Sequence, residues 1–412
     1  MSLPGSMNLN NDGKRKESGG SQRGGKMGKR TYDTRWFYGC LLMITCIFSV
    51  FFVKYVNYAD TPLHSLVAKS IFFQDTDFDA GMIPRHAYAY PVYHIVQKMV
   101  HFIFRLDYET AAAIILSVSI FVSVLLYRKL ILMIVRDTDS NKYFADFLAL
   151  GSVLFEVARC WLNDWRFYQS QCGPNPFHNP TILFVRPIGT ISLICFIKYI
   201  QNYRQKKYYR YVVLFGLCML ISIGAKPSYA LAFLPAMGIY TLYYMIRNKE
   251  IWFGVIAFAA VLPSLILLVV QQVWVSSQTQ ALNVTVGFGG FTGLTPIQVV
   301  LSSLITFPVV ILLFRVSLIK REPVYFISIT ALVIGWIQMF WFSNGPAGDF
   351  SWGYDLAVQA ATIVTLAETR KGEEFNRGRN IINRSAYVIF LYQVLTGVVY
   401  LWTIYNTTMF WI

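Results

Sequence analysis

The 412-residue sequence predicts an all-α polytopic membrane protein, and three observations carry that prediction. Hydrophobic residues make up 55% and charged residues only 14%, whereas a soluble domain clothes itself with about a quarter charged residues. The apolar residues come in runs long enough to cross roughly 30 Å of hydrocarbon as helix. The basic residues fall in the gaps between these runs with a strong side bias. The same composition excludes collagen-like, disordered and disulfide-scaffold chains.

Residues 1–35 form a polar, basic tail rich in Gly, Ser, Lys and Arg, expected to be disordered and cytosolic. The run from Trp36 to Val56 is long enough to span, and no small-residue cleavage site follows it. A retained first helix is therefore expected, not a signal peptide. Further runs lie at roughly 110–135, 143–162, 180–200, 210–225, 229–246, 251–275, 296–319, 324–342, 353–368 and 386–405, each near the length of a membrane-crossing helix. About eleven spans thus make one transmembrane domain, 36–405, followed by an outer tail, 406–412. Within 210–246, Ala225-Lys226-Pro227-Ser228 interrupts the apolar stretch. Proline beside a charge predicts a turn at the outer boundary.

The net charge of +15 does not signal nucleic acid, because basic residues alternate with apolar runs and no zinc-finger or RNA-binding signature occurs. With the tail inside, 27 of the 36 Lys and Arg fall on the inner side. That positive-inside asymmetry orients the chain, with outer loops at 57–109, 163–180, 276–295 and 343–353. Cys40, Cys46, Cys195 and Cys218 lie in apolar runs, and Cys160 with Cys172 falls short of a disulfide framework.

All five histidines (His64, His86, His94, His101 and His178) map to the outer side, as do Asp60, Asp75, Asp77, Asp79, Asp107, Asp164, Asp349 and Asp355. The inner loops are short and basic, so acid–base chemistry is expected only on the outer face. If the chain continues as helix after the first span, Asp60 and His64 share a face. A boundary carboxylate is costly unless paired or functional; the alternative for Asp60 is a cap for the helix that Thr61-Pro62 begins.

Asp75, Asp77 and Asp79 are candidate ligands for a divalent cation, Mg or Mn, against the alternative of a solvated turn. An EF-hand is excluded, since the glycine comes one place late and the twelfth position is His86. Ile95, Met99, Phe102 and Ile103 share one helical face, which predicts an amphipathic helix lying in the interface. It is either a docking helix alone or a platform that holds Arg85, His86 and His94 near the lipid surface. The loop Gly173-Pro174-Asn175-Pro176-Phe177-His178-Asn179-Pro180-Thr181 is proline-rich and non-helical. Arg186 follows inside a span, where an arginine is by default functional. Arg186, Lys226, Arg159 and Arg166 either form a phosphate clamp or engage in charge pairing, for example with Glu156. The stretch 344–354 places Trp352 and Tyr354 beside Asp349, a composition that suits sugar stacking or an interfacial aromatic belt.

These segments, in this order, resemble integral-membrane glycosyltransferases of the GT-C type, especially bacterial members that build surface polysaccharides. The resemblance rests on Asp60 early in a long outer loop, Tyr90-Pro91-Val92-Tyr93-His94 before a juxtamembrane helix, the loop 173–181 before Arg186-Pro187, and Ala225 to Ser228. It implies an inverting transferase of cell-surface glycan assembly in the cell membrane, using a polyprenyl-phosphate- or pyrophosphate-linked sugar donor and a glycan acceptor at the outer leaflet. Asp60 is the position matching the family's base or metal ligand, with His64 and His94 assisting. Arg85, His86, Arg159, Arg166, His178, Arg186 and Lys226 are the expected contacts to the lipid phosphate. Tyr90, Tyr93, Asp349 and Trp352 are the expected sugar contacts. The family's paired acids directly after the first span are absent, since Thr61 follows Asp60. Rival readings are an oligosaccharide polymerase acting on lipid-linked repeat units, a lipid-linked glycan flippase with charges along a path through the spans, and a non-catalytic scaffold.

Overall fold

The computed structural model describes residues 32–58, 60–71, 88–155, 176–278, 285–286, 297, 301, 307–343, 350–373 and 380–407. Almost all of them are helical. Helix α1, Thr34–Tyr55, begins where the Asp33 carboxylate accepts from Arg35 N at 2.9 Å. Two short helices follow at its far end, α2 (Thr61–Ser70) and α3 (Val92–Phe104). Asp107 and Thr138 cap α4 (Tyr108–Ile134) and α5 (Asp139–Gly151) through their side chains. After a 3-10 turn at Pro176–His178 come α6 (Pro180–Asn202), α7 (Tyr209–Ala225), α8 (Ser228–Asn248) and α9 (Ile251–Gln278). The remaining helices are α10 (Pro308–Leu313), α11 (Val316–Arg321), α12 (Pro323–Trp341), α13 (Ser351–Glu373) and α14 (Asn380–Thr407). A two-residue antiparallel pairing of Thr285 with Ser343 and Val286 with Phe342 ties the end of α12 to the segment after α9.

Seven of these helices (α1, α4, α6, α8, α9, α12 and α14) are long and apolar enough to cross a bilayer. The chain is an all-α, multi-pass membrane protein. Helices α7 and α8 are separated at Lys226-Pro227, as the interrupted apolar stretch predicts. Three expected spans take other forms. The run 143–162 is helical only to Gly151, turns at 152–155, and then leaves the described residues. Among the described residues from 307 on, the run 296–319 holds two short helices, because Pro308 starts one and the non-helical backbone at Phe314 ends it.

The third departure concerns 353–368. It belongs to α13, which already begins inside the expected loop 343–353 and is buried on nearly every side. This helix packs on α4, α8, α10 and α12. Asp355, Gln359, Thr362, Thr365, Glu368 and Thr369 are all buried within it. Protein rather than lipid surrounds them, so polar residues are tolerated where hydropathy alone would exclude them. Gln359 Nε2 donates to Ser152 O at 2.8 Å, and Tyr127 OH donates to its Oε1. Asp355 is therefore a buried helix residue, not a loop acid. Glycine permits this central packing: a Cβ on Gly353 would lie 2.6 Å from Ser228 O, and one on Gly335 would lie 2.9 Å from Tyr354 Cα.

The two ends of the bundle differ in chemistry. At one end, Arg128 Nε bonds Asp146 Oδ1 at 2.6 Å, and Lys371 Nζ lies 2.7 Å from Glu322 Oε1. Tyr32 OH donates to Asp146 Oδ2 at 2.7 Å, which latches the start of α1 onto that end. The other end carries α2, α3, the turn before α6 and the α7–α8 turn, and it holds the site.

Candidate functional site

Asp60 stands at the start of α2 but does not cap it. Its backbone is already helical (φ −82°, ψ −11°) and its side chain makes no capping bond. Pro62, in the first turn of the helix, has no N–H to satisfy there. The carboxylate is thereby released for other partners, and the capping alternative is set aside. His64 N donates to Asp60 O at 3.1 Å, so the two residues do share a helical face.

The partners come from the turn before α6. Asp60 Oδ1 lies 3.2 Å from His178 Nε2, and Oδ2 accepts from Asn179 Nδ2 at 2.9 Å. Asp60 N also donates to His178 O at 3.3 Å. Asn179 works from both ends of its amide, since its Oδ1 accepts from Thr181 N at 3.0 Å and caps α6. Phe177, one residue before His178, is buried against Phe48 and Phe51 of α1 and Tyr400 of α14. That aromatic anchor fixes where His178 sits. The Asp60 side chain remains 34% exposed, so a substrate hydroxyl can reach it.

Beside this pair lies a second one. His64 Nδ1 and His94 Nε2 are 2.9 Å apart, with the rings stacked at 5.2 Å. Helix α3 delivers His94 because its polar face points into the protein. Gln97 Nε2 donates to Ser65 Oγ and Tyr108 O, both at 2.9 Å. Lys98 Nζ donates to Lys69 O and Ile71 O at the carbonyl end of α2. Met99, Phe102, Ile103 and Phe104 are each more than half exposed on the opposite face. That arrangement is the amphipathic helix the sequence predicts. His101 takes no part, being stacked on Tyr108 at 4.0 Å.

Lys226 adds the positive charge. It ends α7 in an extended conformation, and its Nζ lies 5.3 Å over the Trp352 ring. Its field reaches both Asp60 and His64. Burial on its own would raise the Asp60 pKa, but the His178 hydrogen bond and the nearby Lys226 ammonium outweigh it and hold the carboxyl below its usual range. Asp60 is ionised at neutral pH. For His64, burial first, then His94 and Lys226, push the imidazole well below its ordinary range against the pull of Asp60. Burial brings His94 down to about 4, offset in part by the Tyr90 backbone carbonyl. Both rings are therefore neutral at pH 7, so one donates and the other accepts. A neutral pair bonded in this way keeps a lone pair on one of its outer ring nitrogens, His64 Nε2 or His94 Nδ1, which can act as a base.

This arrangement sets a pH dependence. Depressed histidine pKa values mean that the unfolded chain takes up protons first as pH falls, so folded-state stability is full above about 6.5 and is lost downwards. For His94, shifted from 6.5 to about 4, the loss at pH 5 relative to pH 7 comes to about 2 kcal/mol. Thermal unfolding in detergent at the two pH values should show the drop. His94→Phe should shrink it by about that amount and leave the share of the buried His64, and an unchanged pH profile in that variant would refute the assignment.

Of the expected site residues, Asp60, His64, His94, His178 and Lys226 converge. Three roles change. His178 pairs with Asp60 rather than standing free for phosphate. Tyr93 is 0% exposed, wedged edge-on between His64, His94 and Phe184, so it supports the imidazoles and does not stack on sugar. Trp352 is 3% exposed beneath Lys226 in the first turn of α13 and is equally closed to a sugar. Tyr90 is half-buried beside His94. Arg186 lies deeper, in the second turn of α6, lining a small cavity with Tyr127, Tyr229 and Gln359.

Arg85, His86, Arg159, Arg166 and Asp349, along with Asp75, Asp77, Asp79 and Glu156, lie outside the described residues. Among the described residues no three His, Cys, Asp or Glu side chains converge as a metal site. Asp60, with His178 and Asn179 on its two oxygens, offers a cation little of a coordination shell. Asn179 was not among the expected site residues; its one sequence signal is an asparagine directly before the Pro180 that starts a helix. No family model matches the chain and no curated protein is similar to it.

Proposed function

We propose that the protein is a membrane glycosyltransferase that moves a sugar from a polyprenyl-phosphate or pyrophosphate carrier to a glycan hydroxyl at the outer leaflet. The observation that carries this reading is the convergence of an exposed, ionised Asp60, a neutral His64–His94 pair and the Lys226 cation at one end of the helix bundle. A hydroxyl oxygen attacks the anomeric carbon and the bond from that carbon to the phosphate oxygen breaks. The hydroxyl proton goes to Asp60, with His64 Nε2 as the neighbouring acceptor. The bonding electrons leave on the carrier phosphate, whose charge Lys226 neutralises. Direct attack on the face opposite the phosphate inverts the anomeric centre. Polymerisation of lipid-linked repeat units is the same chemistry with a whole oligosaccharide as the transferred group.

The membrane orientation belongs to this proposal. Val286 pairs with Phe342 at the site end while α12 starts at the opposite end, so on this reading the chain crosses once between them. Counting that crossing with α5, α7, α13 and the seven long apolar helices, we propose eleven passes, with the N-terminus inside and the site outside. In a cysteine-free background, Leu63→Cys should react with an impermeant maleimide from outside intact cells and Asp137→Cys should not. The opposite pattern would overturn both orientation and mechanism. A second reading, transport of a lipid-linked glycan, draws on Arg186, Asp355 and Gln359 buried inside the bundle rather than at its outer ends. Purified protein in liposomes with a polyprenyl-phosphate-linked sugar separates the two. Transfer releases free polyprenyl phosphate, whereas transport moves the intact donor across the bilayer.

A further inference from the structure

Helices α8 and α9 meet closely at their far end, where Gly254 admits Met245. Above that contact lies a cavity of about 770 Å³ between the two helices, backed by Phe196 and Phe215. Its walls are apolar apart from Thr241 and Gln338, whose Nε2 donates to Leu231 O at 2.8 Å. The lining runs from Ala230 to Met245 on α8 and from Ile251 to Leu268 on α9. At 1.5 Å per residue that is a height of about 22–26 Å.

One leaflet contributes only half of a roughly 30 Å hydrocarbon core. An acyl chain of an ordinary phospholipid therefore fills part of this groove, whereas a chain that passes the midplane fills all of it. The upper end begins at Ala230, one helical turn after Lys226, whose ammonium acts on Asp60 and His64. A lipid whose phosphate meets Lys226 would find the groove beginning about one helical turn further along the chain.

We propose that the α8–α9 groove holds the hydrocarbon of a long polyprenyl phosphate, selecting carriers whose chain extends beyond one leaflet. This inference rests on the lipid-linked donor reading above, but it is tested by binding alone. Gly238 supplies the probe. It lines the groove, and a Cβ placed on it meets nothing within 4 Å. Gly238→Phe should therefore fill the space without displacing backbone. Val255→Trp, entering from α9, should act alike and guards against a misfolded first variant.

The experiment is a competition on the full chain in nanodiscs between a long, unglycosylated polyprenyl phosphate and farnesyl phosphate, read by native mass spectrometry. The long chain should bind about tenfold better to the wild-type protein, the scale of a few well-packed contacts. In both groove variants that preference should vanish while farnesyl phosphate still binds. Equal binding of the two lipids to the wild-type protein would overturn the proposal. So would an unchanged preference in both variants, or a bilayer phospholipid that the long carrier does not displace. Chain-length preference without sugar transfer would leave the groove assigned and overturn the transferase reading alone.

Discussion

Asp60→Asn is expected to insert, purify and bind lipid-linked donor as the wild type does, yet to turn over about a hundredfold to ten-thousandfold more slowly. Removing a general base costs about 3–5 kcal/mol of barrier. The substitution keeps size and leaves one amide oxygen to accept from His178 Nε2. The other end becomes an amide donor facing the Asn179 Nδ2 donor that now bonds Oδ2 at 2.9 Å. That mismatch costs about 1–3 kcal/mol, and neutralising a boundary carboxylate offsets part of it. Stability should therefore change far less than rate. Single-turnover transfer measured beside donor affinity checks the split: a fall in rate at constant affinity is expected. Near-wild-type turnover would exclude Asp60 as base and transfer that role to His64 Nε2.

The second large effect is expected at Arg186. Its side chain is 2% exposed, about 9 Å below the first residue of α6 at helical rise, and it faces Tyr127, Gln359 and Tyr229 from α4, α13 and α8. An arginine this deep is held by what surrounds it, and removing one member of a buried polar set costs about 3–5 kcal/mol. Arg186→Ala should lower the thermal unfolding temperature sharply. Arg186→Lys should recover only part of the loss, because a point charge does not replace a planar fork of five donors. Unfolding curves in detergent, alongside donor binding, decide the matter. A normal unfolding temperature with weakened donor binding would instead return Arg186 to the phosphate clamp beside Lys226.

Both expectations show where sequence reasoning reaches and where it stops. Asp60 and His64 were legible as a pair because four residues of helix bring them together, a purely local consequence of the 3.6-residue repeat. The partner that holds Asp60 was not, since Asn179 lies 119 residues away and its signal reads only as a helix start. Tyr93 and Trp352 read as sugar platforms because aromatic side chains beside polar loops have the same composition whether they face solvent or are packed from both sides. Only burial separates the two cases.

The sequence by itself determined what depends on short stretches of chain. Those features are the membrane class, most of the long apolar helices, the break at Lys226-Pro227, the amphipathic face of α3 and the shared face of Asp60 with His64. Tertiary structure alone decided what depends on distant neighbours. It set the Asp60 bonds to His178 and Asn179, the meeting of His64 with His94 and the deep placement of Arg186. It also put α13 at the centre of the bundle. The physical reason is the same in each case. Helix formation and hydropathy are sums over adjacent residues, whereas a buried polar group is stable only where the rest of the chain supplies its partners.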